Sequence, residues 1–321
     1  MDGFCKEIID RLPLAESVTE LFRAIANEEL LSEVWATHRG RCYERELSFT
    51  TMVHLIADAL LCSRSGRDSF QRSKEEGTLR TSLQAVYEKL GRIPIRVSAG
   101  FLEQSTLVLR QVFPDWSTWK TPASLQGMSV VIYDGKAVKR VAHRLKPTRS
   151  SAGGLLGGRA LVAQDWETGM AITMYGDPDG ESHDVKHVGQ LVPQVRELVS
   201  GPLLHVGDRA FCDLVQPRHF RSSPDDHFLV RHHSKVKFQR DFDVSERVFR
   251  TEDGQTVTDR WGWFGCEKDA RRIYVRQIEL HRDNDESIVL ITTLLDAVQC
   301  PAADLLFIYR NRWGIEHMSK R

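Results

Sequence analysis

Two apolar runs in this chain end in the same way. Val130-Val131-Ile132-Tyr133-Asp134 and Leu203-Leu204-His205-Val206-Gly207-Asp208 each deliver an aspartate at the carboxyl end of a buried segment. Runs this short, bounded by turn residues, read as strands. In an open α/β sheet the carboxyl ends of strands form the mouth at which sites assemble. If the two strands are neighbours, their carboxylates converge, and two like charges a few ångströms apart are costly unless a cation neutralises them. Hard oxygen ligands of this kind suit Mg2+ or Mn2+. A lone aspartate at a strand end is often only a turn former, so the pairing carries the inference.

The elements around these runs have a mixed α/β order. Residues 130–133, 160–163 and 171–175 read as three strands of a meander, separated by Gly, Asp or Pro. A helical stretch from about 183 to 199 comes next, then the short strand 203–206. From 227 to about 287 the pattern is strand-like without helical periodicity, with runs at 228–230, 244–249 and 273–280 and with Trp261 and Trp263. Residues 288–292 make a further strand, and from Ala302 the chain returns to helix.

Upstream, Phe49, Met52, Leu55, Ile56, Leu60 and Leu61 recur at helical spacing after Ser48, a capping residue, and 83–90 is a second such segment. A small helical bundle is expected there. Residues 114–127, with Trp116, Trp119 and Pro122, read as a linker. The expected division is a helical N-terminal domain over 1–125, an α/β core over 126–230 and 286–321, and a β-rich segment over 231–285.

The formal net charge is zero, so any surface for a polyanion must be local. Charge does segregate. Between Gly135 and Gln164 there is no Asp or Glu, whereas Lys136, Lys139, Arg140, Arg144, Lys146, Arg149 and Arg159 all fall there. This run is either a phosphate-holding face or a solvated hairpin. The six cysteines include no C-x-x-C pair, which speaks against a zinc ribbon or disulfide framework and for a reducing compartment. No apolar run approaches the ~20 residues of a membrane span, and no signal peptide is visible. His183 and His187 lack the glutamate of a zincin motif, and the glycines at 153–154 and 157–158 lack the Lys-Ser or Lys-Thr of a phosphate loop.

On the final helix Tyr309, Arg312 and Glu316 stand at i, i+3 and i+7 and share one face. Periodicity fits two readings equally: a metal-binding carboxylate beside a guanidinium and a phenol, or a surface salt-bridge helix with Tyr309 half-buried.

The run Tyr-x-x-Arg-x-x-x-Glu (Tyr309, Arg312, Glu316), the Asp-Gly after a strand (Asp134, Gly135) and Gly-Asp-Arg-x-Phe (Gly207 to Phe211) together resemble the insertion-sequence-four family of bacterial DDE transposases. The resemblance runs roughly from Ser129 to the end and, less specifically, includes the helical N-terminal region with its Leu47-Ser48-Phe49 segment. It implies an α/β fold with an RNase H-like catalytic core and a β-rich insertion, preceded by a helical N-terminal domain that binds DNA ends. It implies that Asp134, Asp208 and Glu316 are catalytic and hold two Mg2+ or Mn2+ ions. Tyr309 and Arg312 are implied to contact the DNA backbone, and Lys136, Lys139, Arg140, Arg144, Lys146 and Arg209 are expected to bind DNA as well. Trp261 and Trp263 either stack on a flipped base or pack a small sheet. The implied partners are double-stranded DNA, as terminal inverted repeats and as target, and a second copy of the chain in a homodimeric synaptic complex, with no membrane. The expected location is the bacterial cytoplasm, at the nucleoid. The family's signature Lys beyond the Glu would fall past Arg321, and Lys320 comes too early. The expectation is therefore a C-terminally truncated transposase, with a non-catalytic DNA-binding inhibitor as the alternative.

Overall fold

The computed structural model describes residues 14–61, 66–139, 156–179, 182–251, 253–282 and 286–312. The chain divides into two compact units, Met1–Trp116 and Ser117–Arg321.

The first unit is helical: α1 (Leu14–Ile25), α2 (Glu28–His38), α3 (Phe49–Leu61), α4 (Gly66–Glu75), α5 (Leu83–Arg92) and α6 (Ile95–Val112). Side-chain caps set three of the starts by satisfying amide groups that a first helical turn leaves open. Asn27 accepts the Leu30 N–H at 2.9 Å, Ser48 accepts that of Thr51 at 3.0 Å, and Ser82 accepts that of Ala85 at 3.2 Å. Ser48 is thus the cap its position suggested. α3 is the shared wall of the unit. Its Phe49 and Val53 pack with Trp35 and Val97 in one core, and its Met52 and Leu55 pack with Phe70 and Val86 in another.

In the second unit ten strands form one sheet: β1 (Ser129–Lys139), β2 (Leu156–Asp165), β3 (Ala171–Asp177), β4 (Leu203–Gly207), β5 (His227–Arg231), β6 (Phe238–Arg240), β7 (Arg247–Arg250), β8 (Thr256–Phe264), β9 (Ile273–Leu280) and β10 (Ile288–Thr292). The order is β3-β2-β1-β4-β5-β10-β9-β8-β6, with β7 also paired to β8. β1, β2 and β3 are the antiparallel meander that the apolar runs predicted. β1 and β4 are parallel, as are β4 and β5.

Helices cover both faces of the sheet. Val131, Tyr133 and Leu203 pack with α7 (Val188–Leu198) and with Phe220 of the short α8 (Gln216–Phe220), whereas Val130, Ile132, Leu204 and Val206 pack with α9 (Ala302–Asn311). This is the mixed α/β, RNase H-like arrangement with preceding helices that was expected. Burial on both faces is what makes the β1 and β4 runs continuously apolar. At the opposite end of the parallel strands, the buried Asp226 accepts the Leu203 N–H at 3.0 Å and Arg196 Nη2 at 2.6 Å. That carboxylate ties the start of β4 to α7.

Three details go beyond or alter the sequence reading. The β-rich segment extends the central sheet, because β9 pairs with β10 and β10 with β5. The expected strand at 244–249 is shifted to Arg247–Arg250. Part of the expected linker is also packed: Leu125 is buried in the core, Trp119 stacks on Trp166 at 6.3 Å, and the amides of Thr118 and Trp119 donate to Glu167 O. Two large apolar side chains in reach of the α9 face gain more by burial, about 1.5–3 kcal/mol each, than a free linker would offer them.

A buried ion pair joins the β-rich part to α9. Arg276 of β9 donates through Nε and Nη2 to the Asp259 carboxylate of β8 at 3.1 and 2.6 Å, and through Nη1 to Cys300 O at 2.6 Å, just ahead of α9. Both side chains are almost fully buried. Removing one partner strands the other charge. Arg276→Met is expected to lower the unfolding free energy by about 3–5 kcal/mol in a urea titration, and a loss under about 1 kcal/mol, typical of a solvated pair, would contradict this.

Candidate active site

The registers of three adjacent parallel strands decide what meets at the mouth of the sheet. Ile132 of β1 is opposite Val206 of β4, and Gly207 of β4 is opposite Val230 of β5. Side chains alternate faces along a strand. Ile132 and Val206 both face α9, so Asp134 and Asp208, each two residues further on, return to that face at the same level. Asp208 lies just past β4, and its φ of −77° and ψ of −169° keep the backbone extended and the alternation intact. Leu229 faces α9 too, which puts Arg231 on the same side beside Asp208. Asp134, Asp208 and Arg231 thus lie in a row, but only Asp208 and Arg231 are at strand ends. β1 was expected to end at Asp134 and instead continues to Lys139 through its pairing with β2, leaving Asp134 inside the strand where the pairing with β4 stops.

The glycine beside each aspartate has a steric reason. A Cβ at Gly135 would overlap the Asp184 carboxylate, which lies against the β1 backbone from the α7 side. A Cβ at Gly207 would come within 2.9 Å of the Phe211 side chain, and Phe211 is buried among Tyr133 and Phe220. Asp208 Oδ1 accepts the Ala210 N–H at 2.7 Å and so caps the 3-10 turn Arg209–Phe211. The Gly-Asp-Arg-x-Phe run is therefore a strand end, a cap and a plug. Asp184 opens the 3-10 turn Asp184–His187 and pairs with Arg159 of β2, whose Nη1 also donates to Ser182 O. Burial raises the Asp184 carboxyl above the ordinary range; Arg159 opposes this and the Asp208 charge adds to it.

α9 closes the site from above. Tyr309 and Arg312 are 1% and 2% exposed, and the Arg312 guanidinium lies 5.4 Å from the Tyr309 ring centre. Burial raises the Tyr309 hydroxyl pKa, with Arg312 and Arg231 opposing and Asp208 adding. Tyr309 therefore senses two of the three residues in the row. The surface salt-bridge reading of this helix is overturned, because neither side chain reaches solvent. Trp166 Nε1 donates to Ile308 O at 3.2 Å and fixes the helix over β1.

The remaining expected residues fall in several places. Glu316 lies outside the described residues, as do Arg140, Arg144, Lys146 and Arg149. Lys136 is exposed on β1, Lys139 ends that strand, and Arg159 is taken up by Asp184. Arg209 pairs with Glu286 at 2.8 Å. Trp261 donates its indole N–H to Leu295 O at 2.8 Å beside Arg276, and Trp263 packs edge-on against Tyr274 with Arg272 over its ring at 4.4 Å. His187 is held by Ser182 and Asp177 and stacks on Tyr175. Among the described residues no group of three or more His, Cys, Asp or Glu could hold a metal ion. Asp134 and Asp208 supply two carboxylates on one face, a donor set that fits a divalent cation.

Sequence reasoning missed Arg231, Asp184 and Glu286. For Arg231 a signal existed: it directly follows the apolar run 228–230, as Asp134 and Asp208 follow theirs. Asp184 and Glu286 become visible only through tertiary partners.

The model of the transposase DDE domain family matches residues 125–321, and the chain belongs to that family. Family members use divalent metal ions and act on DNA. No curated protein matches the chain. Among the described residues no helix is long and apolar enough to cross a membrane.

The close approach at Gly135 is testable. Gly135→Ala is expected to push Asp184 off β1, break its pair with Arg159 and cost about 1–3 kcal/mol in denaturant unfolding, the usual range for overpacking. An unchanged midpoint would show that the carboxylate turns aside freely.

Proposed function

We propose that this chain is a DNA transposase of the insertion-sequence-four group that cleaves phosphodiester bonds at the ends of its element and joins them to target DNA. Asp134, Asp208 and Glu316 are the carboxylates that hold the metal ions, two Mg2+ or Mn2+. The single observation that carries this reading is the level placement of Asp134 and Asp208 on adjacent parallel strands, facing α9, in a chain of the DDE family. Two unneutralised carboxylates side by side are unfavourable, so the pair is suited to a bound cation.

When bound, the metal pair activates the attacking water or 3′-hydroxyl and stabilises the leaving oxygen of an in-line displacement. The protein's own residues do the rest. Asp134 and Asp208 orient the ions from a fixed sheet. Asp208 keeps one oxygen engaged by the Ala210 N–H, which limits rotation of the carboxylate and leaves its other oxygen for the ion. Tyr309 and Arg312 pack the α9 side of the site, where their burial keeps water out rather than turning them to a DNA backbone. The substrate is double-stranded DNA, engaged by a homodimer across paired ends.

The test is cleavage of a duplex carrying the inverted repeats that flank the gene. Asp134→Ala and Asp208→Ala should each reduce Mg2+-dependent cleavage by at least about 10^3-fold, a loss comparable to removing one electrostatic stabiliser of the transition state, while leaving duplex binding within about twofold. Cleavage retained by both variants would overturn the assignment.

A further inference from the structure

Next to Asp208 the mouth of the sheet holds an ion cluster that the carboxylate chemistry leaves unused. Arg209 follows Asp208 directly, and Arg231 ends β5 one strand over. Both guanidiniums point at one acid: Arg209 Nη2 donates to Glu286 Oε1 at 2.8 Å, and Arg231 Nη2 donates to Glu286 Oε2 at 3.0 Å. One planar carboxylate therefore spans two cations with its two oxygens. Two non-bridging oxygens of a phosphodiester can span the same pair, and guanidinium forks match phosphate as well as carboxylate.

The exposures show which partner is fixed and which is replaceable. Glu286 is 68% exposed, whereas Arg231 is 19% exposed and Arg209 41%. The arginines belong to the sheet and the turn that also carries Asp208. Glu286 reaches them from the approach to β10, where Arg282 Nε donates to its carbonyl at 3.0 Å. The pairing is also incomplete. The Nε atoms of Arg209 and Arg231 are buried and make no hydrogen bond. A buried N–H without an acceptor is costly, so Glu286 leaves donors of both arginines unused.

We infer that Arg209 and Arg231 form a binding site for a DNA backbone phosphate beside Asp208, and that Glu286 occupies this site as an internal substitute until DNA displaces it. The inference rests on the DNA-processing reading above and adds a phosphate position and a competitor to it. Glu286 remains ionised as long as Arg209, foremost, and Arg231 hold its carboxyl below the ordinary range. The consequence is an exchange of one anion for another. The arginine pair is never left bare in the free protein, and DNA binding is weaker than the two cations alone would give.

The experiment measures binding of a short fluorescent DNA duplex to the full chain by anisotropy over a series of KCl concentrations. Glu286→Gln keeps the side-chain shape and removes the charge. It should bind the duplex about tenfold more tightly, a change of about 1.4 kcal/mol, and steepen the dependence of log K on log salt by roughly one phosphate contact, about 0.9. Glu267→Gln, an exposed site of the β-rich part with the same charge change, should shift affinity less than twofold. In an Arg209→Ala/Arg231→Ala background the gain from Glu286→Gln should vanish. If Glu286→Gln behaves like Glu267→Gln, or if its gain survives in the double-alanine background, the inference is overturned while the transposase reading stands. If the wild-type chain and every variant fail to bind duplex DNA, the transposase reading itself fails.

Discussion

In-register parallel pairing of β1, β4 and β5 is the constraint on which the rest of this structure depends. A slip of one residue between β1 and β4 would turn either Asp134 or Asp208 to the α7 face and separate the carboxylates by the thickness of the sheet. The protein fixes that register by burying both faces of the strands, so that a slip would exchange whole layers of apolar contacts. It fixes the ends with polar groups as well. Asp226 holds the start of β4, Asp208 caps the turn after it, and Tyr133 Oη lies 2.8 Å from His205 Nδ1 inside the pair. The site is thus a product of strand registry more than of any local loop.

Much of this was legible in the sequence, because the signals involved are local. A continuous apolar run states that a strand is buried on both faces; the residue that ends the run ends the strand at β4 and β5 but not at β1, which continues to Lys139 against β2. Ser48 announces α3 through the same short-range chemistry. What was not legible is what depends on partners far along the chain. The β-rich part reads as a separate excursion because nothing in its alternation says that β9 will pair with β10 and so join the central sheet. Tyr309 and Arg312 read equally well as a surface pair, since periodicity shows a common face but not what covers it. Arg231 was overlooked because a search for metal ligands looks for acids where apolar runs end, and the third run in the row ends in a cation.

The glycines of the two motifs illustrate how spacing becomes chemistry. Gly135 and Gly207 flank the two aspartates, and at each an outside group, the Asp184 carboxylate or the Phe211 ring, lies where a side chain would stand. These contacts brace the middle of β1 and the end of β4 from the α7 side, while the aspartates project to the other. The zero net charge of the chain is consistent with the same design. Near the mouth Arg159, Arg209 and Arg231 are each matched by an acid of the chain itself, so these three cations are held in internal pairs.

The Arg276 clamp makes α9 a beam fastened along its whole length. The helix is rooted at Cys300 O, held along its flank by Ser124 on Asp304 at 2.5 Å and by Trp166 on Ile308 O, and it carries Tyr309 and Arg312 at its far end. With its far end buried as well, the helix is fastened at both ends. The β-rich strands, remote from Asp134 and Asp208 in sequence and in the sheet order, supply one of these fastenings through Arg276. They are thereby stapled to the same helix that closes the site over Asp134 and Asp208.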